Sequence, residues 1–308
     1  MRIGLRIATA ATLAWIALVA GASAARAQDI EPRAFSNAPV GVNFLVMGLV
    51  YTQGGVAENP TLSVNDPQLT TANAVLGYAR VIDVFGMSGK FDVIVPVTWL
   101  SAHATVAGDP VERKVDGLGD PRFRLSVNFI GAPALTMEEF QSYEQDLIVG
   151  GSVQVSVPVG QYDSSRLINI GTNRWSFKPE LGVSKAIDRW TLELQAGVTF
   201  FTDNDDFFGG HERAQEPLYS VQGHVIHRFN SGIWGSLDAT YFFGGSTAVD
   251  GGDKEDRQEN WRVGATLALP VDNHSSFKFY ASSGVSARTG NNFDLFGIAW
   301  QYRWGGGL

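Results

Sequence analysis

The sequence predicts an all-β protein, a transmembrane antiparallel up-and-down β-barrel of about 12 strands. Short segments of alternating apolar and polar residues recur along the chain, and many reach the roughly 9–11 residues that a tilted strand needs to cross a bilayer. Segment 122–129 shows the pattern most clearly, with arginine and small polar side chains on one face and phenylalanine, leucine and valine on the other. A soluble β-sandwich also alternates, but the number of segments favours the barrel.

The N-terminus predicts an exported protein. Arg2 and Arg6 precede an apolar run over residues 7–21, and Ala25–Ala27 then forms an A-x-A cleavage signal. The run is shorter than the roughly 20 residues of a spanning helix. We therefore expect a signal peptide over residues 1–27, cleaved after Ala27, and one barrel domain over residues 28–308 in the bacterial outer membrane.

Composition excludes several classes of function. The chain has no cysteine, which rules out disulfides, thiolate metal sites and cysteine nucleophiles. The formal charge of −8 becomes −11 without Arg2, Arg6 and Arg26, and no basic stripe remains that could follow a phosphate backbone, so nucleic acid is excluded as a partner. The 35 glycines and 11% aromatic residues suit a sheet with tight turns and aromatic girdles.

Twelve strands are predicted after a short periplasmic lead over residues 28–41. They lie near residues 42–52, 72–84, 90–100, 120–131, 146–158, 173–185, 189–201, 217–229, 232–244, 259–270, 275–287 and 293–304.

The connections predict which end of the barrel faces outward. Those after strands 2, 6, 8 and 10 are tight, whereas those after strands 1, 3, 5, 7 and 9 run about 12 to 20 residues and are polar or acidic. This matches periplasmic turns and extracellular loops, with both termini periplasmic. Two connections depart from the rule: residues 131–145 are long on the periplasmic side, with a helical turn possible over residues 134–143, and residues 288–292 are short on the outer side.

One register of these strands is apolar and is expected to face lipid. Its tryptophans and tyrosines lie near strand ends, where amphipathic rings favour the headgroup level. The expected girdle residues are Trp175, Trp190, Tyr241, Trp261 and Trp304.

The opposite register is charged and is expected to line the lumen, because an arginine or lysine facing the bilayer midplane costs about 2–4 kcal/mol. This register holds seven arginines or lysines, four acidic residues including Asp294, and His224. Arg122 and Arg124 could attract an anionic solute, or the charges could pair and fill a narrow barrel. The pore-lining candidates are Arg122, Arg124, Lys178, Glu180, Glu193, Arg228, Asp238, Arg262, Lys278 and Arg303.

Four short motifs carry a family resemblance: Gly117–Pro121 before an arginine-bearing strand, Val155–Gly160, Ile168–Asn173 and the strand Trp175–Gly182. Through them, most of the mature chain resembles the outer-membrane β-barrel family called "MetA-pathway of phenol degradation". The resemblance implies a channel for small, aromatic or otherwise hydrophobic compounds, with no catalytic residues.

Two details of this resemblance concern structure. Asp120 at the strand mouth is expected to bond the preceding loop. Barrels of this kind usually end on an aromatic residue that is read by the assembly machinery, whereas here Trp304 precedes Gly305–Leu308, so the assembly signal is expected to be internal.

An outer-membrane enzyme acting on lipid or peptide is the main rival class. His211 with Asp205, Asp206 and Glu212 could activate water, although a solvated loop tip is the better interpretation. His224 and His227 are three apart and lie on opposite faces of a strand, which disfavours a joint metal site. The acidic run Asp250, Asp253, Glu255, Asp256 and Glu259 lacks calcium-loop spacing, which leaves weak divalent bridging to lipopolysaccharide as an option.

The sequence therefore favours a passive channel without cofactor, metal or catalytic residues. The expected partners are outer-membrane lipid and lipopolysaccharide, a small solute and the barrel assembly machinery. A non-conducting structural or adhesion barrel is a further alternative, because the outer loops are acidic.

Overall fold

The chain forms a closed antiparallel β-barrel in a computed structural model that describes residues 30–57, 64–106, 109–253, 256–287 and 290–308. The predicted signal peptide lies outside the described residues. None of the helices within these ranges is long and apolar enough to cross a membrane.

Most of the described elements are long β-strands. In chain order they are β1 Val42–Ala57, β2 Val64–Val84, β3 Met87–Val106, β4 Asp109–Leu118, β5 Arg122–Ile130, α1 Met137–Phe140, β6 Leu147–Ser156, β7 Ser176–Ile187, β8 Trp190–Phe201, β9 Asn204–Phe207, β10 His211–Gln215, β11 Leu218–Arg228, β12 Trp234–Gly244, β13 Thr247–Val249, β14 Gly252–Asp253, β15 Gln258–Pro270, β16 Ser275–Ala287 and β17 Gly290–Gly305.

Twelve strand positions form the barrel wall, which confirms the predicted count. Each wall strand pairs antiparallel with the wall strands before and after it in the chain, and β1 pairs with β17 along its whole length to close the sheet. β4 and β5 share one position, since both pair with β3 on either side of an interruption at residues 119–121. Because β1 pairs with β17, the ring is closed and most backbone groups of the wall are paired within the sheet, whereas β4, among the described strands, pairs on one side only, with β3.

The connections at the two ends differ as predicted, with one correction. At the end that we call the turn end, β2 and β3 are joined by Phe85 and Gly86, both at positive φ, and β7 and β8 turn at Asp188 with φ 52°. The predicted helical turn in residues 134–143 is α1, whose capping box joins Thr136 and Glu139. Because short turns face the periplasm in outer-membrane barrels, the turn end is the periplasmic end.

The correction concerns the opposite end, the loop end. The connections after the first and third predicted strands are not long loops, because β1 to β4 extend the barrel wall through most of these residues. Beyond the bilayer, the outward face of these strands meets water instead of lipid, so the strands continue there without the apolar alternation that reveals them in the sequence. The short connection at residues 288–292 lies partly outside the described residues.

The outward register is apolar along the middle of the wall and aromatic at both ends. Leu181 and Leu237 are among its most exposed side chains, at 64% and 69%. The predicted girdle tryptophans all face outward, and rings stack along the wall, as between Tyr241 and Trp261, whose centroids are 4.8 Å apart. This surface matches a lipid-facing band between two interfacial belts.

The N-terminal lead was expected in the periplasm, and that prediction is wrong. Residues 30–41, which we call the plug, enter the barrel and pack against its inner wall before β1 begins. Phe35 is 2% exposed and clusters with Ala132 and Ile148. The aromatic ring and the backbone of the plug replace water inside the turn end, which stabilises the segment there.

Candidate functional site: the barrel lumen

The lumen above the plug holds a cavity of about 430 Å³. Ile30–Pro32 of the plug line it together with side chains from most barrel strands, so the plug contributes to its boundary. Segment 157–175 and the four-stranded sheet of β9, β10, β13 and β14 fold at the loop end. An apolar cluster that includes Leu100, Ile170 and Phe207 joins this segment and sheet to the extended strand β3.

One side of the cavity is apolar, and we call it the apolar wall. It is formed by β1, β2, β3 and β17, which contribute no charged residue to the lining within the described part of the chain. Its apolar members are Val46, Val50, Leu69, Val75, Ile94, Pro96, Leu100, Phe293, Leu295 and Ala299.

The opposite side is charged, and we call it the charged wall. β7 lies six positions from β17 in the ring of twelve, directly across the barrel. The wall consists of β5, β7 and the residues that precede each of them. Its charged members are Asp120, Arg122, Arg124, Arg174, Lys178 and Glu180.

Several of these charges are paired at the turn end of the cavity. Arg124 contacts Glu31 of the plug, and its Nε donates to Asp92 Oδ2 at 3.1 Å. Lys178 Nζ lies 2.8 Å from Glu180 Oε2. In a low-dielectric interior, such pairing offsets part of the cost of desolvating each group.

The plug is also held by polar contacts with distant strands. The backbone N–H of Arg33 donates to Glu193 Oε2 at 2.7 Å, and Asn128 Nδ2 donates to the carbonyl oxygen of Phe35 at 3.0 Å. Lys90 Nζ donates to the Ala34 carbonyl oxygen at 3.2 Å. These contacts join residues 56 to 160 positions apart, so barrel side chains satisfy the irregular backbone of the plug.

The ten pore candidates separate into two sets. Six line the cavity, and four do not. Of these four, Glu193 binds the plug, and Arg262 is buried and donates to the Phe293 carbonyl oxygen. The other two lie at the turn end, where Arg228 donates to the carbonyl oxygen of Asp188 and Arg303 donates to that of Asn273. The six cavity residues are Arg122, Arg124, Lys178, Glu180, Asp238 and Lys278. Asp294 does not belong to the inward register, because its neighbours Phe293 and Leu295 line the cavity.

The histidines occupy separate environments. His224 is buried, and its Nδ1 lies 2.7 Å from Asp238 Oδ1. His227 faces outward and packs against Trp190, with ring centroids 4.4 Å apart. His211 pairs with Asp250 at the exposed loop end, rather than with the neighbouring acids considered from the sequence. Within the described residues, no group of three or more acidic and histidine side chains forms a metal-binding cluster.

The carboxylate of Asp120 joins the start of β5 to the loop that follows β6. It accepts from the N–H groups of Gly160 at 2.9 Å and Thr172 at 2.8 Å, and from Thr172 Oγ1 at 2.7 Å. A Cβ on Gly160 would lie 2.6 Å from Asp120 Oδ1, so the approach requires glycine. Asp120 therefore fixes one end of the cavity.

Sequence reasoning missed the apolar wall and Arg174. β1 alternates poorly because Val46 and Val50 face the lumen while Met47 and Leu49 face lipid, so both of its faces are apolar. Poor alternation was itself the signal of an apolar lumen. Arg174 falls within the predicted strand 173–185, but in the structure it precedes β7 and belongs to no strand face.

Comparisons with known proteins agree with this architecture. The profile of the family described as "Putative MetA-pathway of phenol degradation" matches residues 52–302. The COG4313 outer membrane channel from Pseudomonas putida F1 is 18% identical, with 90% of this chain and 100% of that chain covered and a TM-score of 0.73.

Two autotransporter domains are similar at lower scores. The β domain of Bordetella BrkA is 12% identical, covering 86% of this chain and 100% of its own, with a TM-score of 0.52. The transport unit of AIDA-I from Escherichia coli is 9% identical, covering 95% and 96%, with a TM-score of 0.53. No curated protein sequence matches the chain. The fold is that of outer-membrane barrels, and because the profile match spans most of the sequence, the chain belongs to the MetA-pathway of phenol degradation family.

Proposed function

We propose that this barrel is a channel through which small solutes of aromatic or otherwise apolar character cross the outer membrane passively. The observation that carries the proposal is the cavity of about 430 Å³ inside a closed wall. This volume lies in the range of small-molecule sites. Its apolar wall offers contact to a hydrophobic body, and its charged wall keeps the passage wet.

The plug sets the condition for passage. Residues 30–41 occupy the turn end of the lumen, so a solute that enters from the loop end meets Ile30–Pro32. The plug is attached by hydrogen bonds, an ion pair and one buried ring, all of which are reversible contacts. The channel is therefore closed in this conformation and conducts when the plug shifts.

Planar-bilayer conductance of the refolded mature chain tests this proposal. The Arg124→Ala variant removes the partner of Glu31, and we expect it to open more often than the wild type. Arg80→Gln is the matched control, because Arg80 is exposed on the outward register of β2. A small aromatic solute should block the open current. A folded barrel that stays silent in both the wild type and Arg124→Ala would overturn the proposal.

Ion preference provides a second readout on the same preparation. Arg122 and Arg124 both line the cavity, so replacing both by alanine should lower the preference for anions in reversal-potential measurements. Unchanged ion selectivity would show that these two residues do not line the conducting path.

A further inference from the structure

Arg174 is a buried cation at the loop end of the cavity. It lies two residues before β7 and belongs to the cavity lining, although only 4% of the residue is exposed. A charged side chain this deeply buried is rare unless it is paired or serves a function.

The guanidinium of Arg174 is only partly satisfied. Its Nη2 donates to Gln215 Oε1, and its Cζ lies 4.5 Å from the ring centroid of Phe201. Its Nη1 is buried and has no hydrogen-bond partner among the described residues. Leaving a charged donor unpaired in the interior is destabilising, and an anion that accepts from it would relieve that cost.

The surroundings of Arg174 are short of negative charge. Burial and the nearby Arg213 lower the pKa of Arg174, and Asp203 and Tyr162 only partly oppose this effect. The carboxylate of Asp120 accepts three hydrogen bonds from the loop between β6 and β7. A ligand anion would therefore complete the electrostatics of this position.

Apolar side chains border the same cavity. Leu69, Leu100 and Phe293 belong to the apolar wall, and Phe201 lies beneath the guanidinium. A ligand held at Arg174 by a negative group would place its remaining atoms among these residues. The site thus combines one cationic anchor with an apolar chamber.

We infer that Arg174 binds the carboxylate of a small amphipathic acid whose apolar body lies against Leu69, Leu100 and Phe293. The inference rests on the proposed function, since the cavity is then the path of the solute, and it names the substrate class as monocarboxylates with an aromatic or branched apolar body. Arg174 is the recognition residue.

Equilibrium binding to the full refolded chain in detergent micelles tests the inference without requiring conduction. Three probes are titrated at neutral pH: benzoate, benzyl alcohol as its neutral analogue, and acetate as an anion without the apolar body. The wild type should bind benzoate more tightly than either of the other probes. Titrations into empty micelles correct for partitioning.

Two variants of Arg174 and one matched control complete the design. Arg174→Gln should weaken benzoate binding by about tenfold or more, the loss expected for a charge-assisted hydrogen bond, and should leave benzyl alcohol binding unchanged. Arg174→Lys should retain part of the benzoate affinity. Arg166→Gln, an exposed arginine of the same loop, should behave as the wild type.

Heat-modifiable gel migration establishes that each variant is folded. Equal benzoate affinity in the wild type and folded Arg174→Gln would overturn the inference. If Arg174→Gln does not fold, equal wild-type affinity for benzoate and benzyl alcohol would overturn it instead. A barrel that binds benzoate through Arg174 but never conducts would overturn the proposed channel and support the binding site. A barrel that conducts but does not bind benzoate would support the channel and overturn the binding site.

Discussion

The turn half and the loop half of the lumen are built from the same strands but filled differently. In the turn half, Phe35 and the backbone of the plug occupy the interior, and charges such as Arg124 and Glu31 pair with each other. In the loop half, the interior is a cavity, and buried Arg174 keeps an unpaired donor. Strand alternation therefore decides which side chains face inward, whereas a separate segment decides whether the space between them is open.

Removing the ring of Phe35 should have the largest effect on this contrast. Truncating a buried phenylalanine costs about 3–5 kcal/mol, and here the loss falls on the attachment of the plug. We expect Phe35→Ala to make the turn half as open as the loop half, raising single-channel conductance and exposing residues 30–41 to protease.

Phe85→Ala is the control for this change, because Phe85 is 97% exposed in the turn between β2 and β3. It should leave both readouts unchanged. A Phe35→Ala barrel with wild-type conductance and wild-type protection from protease would show that Phe35 does not hold the plug.

Replacing Asp120 tests what holds the loop half together. In Asp120→Asn, the amide replaces an acceptor-only carboxylate that binds Gly160 and Thr172, and losing one such charged hydrogen bond costs about 1.5–3 kcal/mol. We expect faster proteolysis between residues 161 and 171 and a lower urea midpoint. Asp205→Asn, at an exposed loop position, serves as the reference. Equal protection of the loop in both variants would contradict the role given to Asp120.

A smaller change tests how tightly the plug fits against the barrel wall. A Cβ on Gly182 would lie 2.1 Å from Cε2 of Phe35, so Gly182→Ala overpacks the turn half and should cost about 1–3 kcal/mol. Gly223→Ala on β11 meets nothing closer than 4.0 Å and is the matched control. Urea unfolding in lipid vesicles measures both. Gly182→Ala should also increase channel opening. If neither the unfolding free energy nor the channel opening changed, the Phe35 ring would be free to move aside.

Much of the wall could be predicted from the sequence, because a lipid-facing side chain and a lumen-facing side chain obey opposite rules. Leu181 and Glu180 illustrate this: they are neighbours in the chain, and one lies outside while the other lies inside. The twelve strands and the inward position of six charged residues follow from that alternation. The hairpin extensions at the loop end do not, since their outward face meets water instead of lipid.

The contents of the lumen could not be predicted in the same way. Residues 30–41 show no strand period, and the groups that hold them, such as Glu193 and Asn128, lie more than ninety positions away. The excess of basic residues in the inward register was the available clue, because Glu31 supplies one of the missing negative charges. The role of Arg174 could not be predicted for a similar reason, since the residues that contact its guanidinium, Gln215 and Phe201, lie on other segments.

The position of the plug also constrains how the barrel is assembled. The plug leads directly into β1, and β1 forms the seam with β17 through sixteen residue pairs from Val42–Gly305 to Ala57–Gly290. The earliest described part of the chain therefore lies beside the seam, and it enters the interior either before the last strand completes the ring or afterwards through the turn end. In either order, a barrel in which β1 has joined β17 while residues 30–41 remain outside is closed but unblocked.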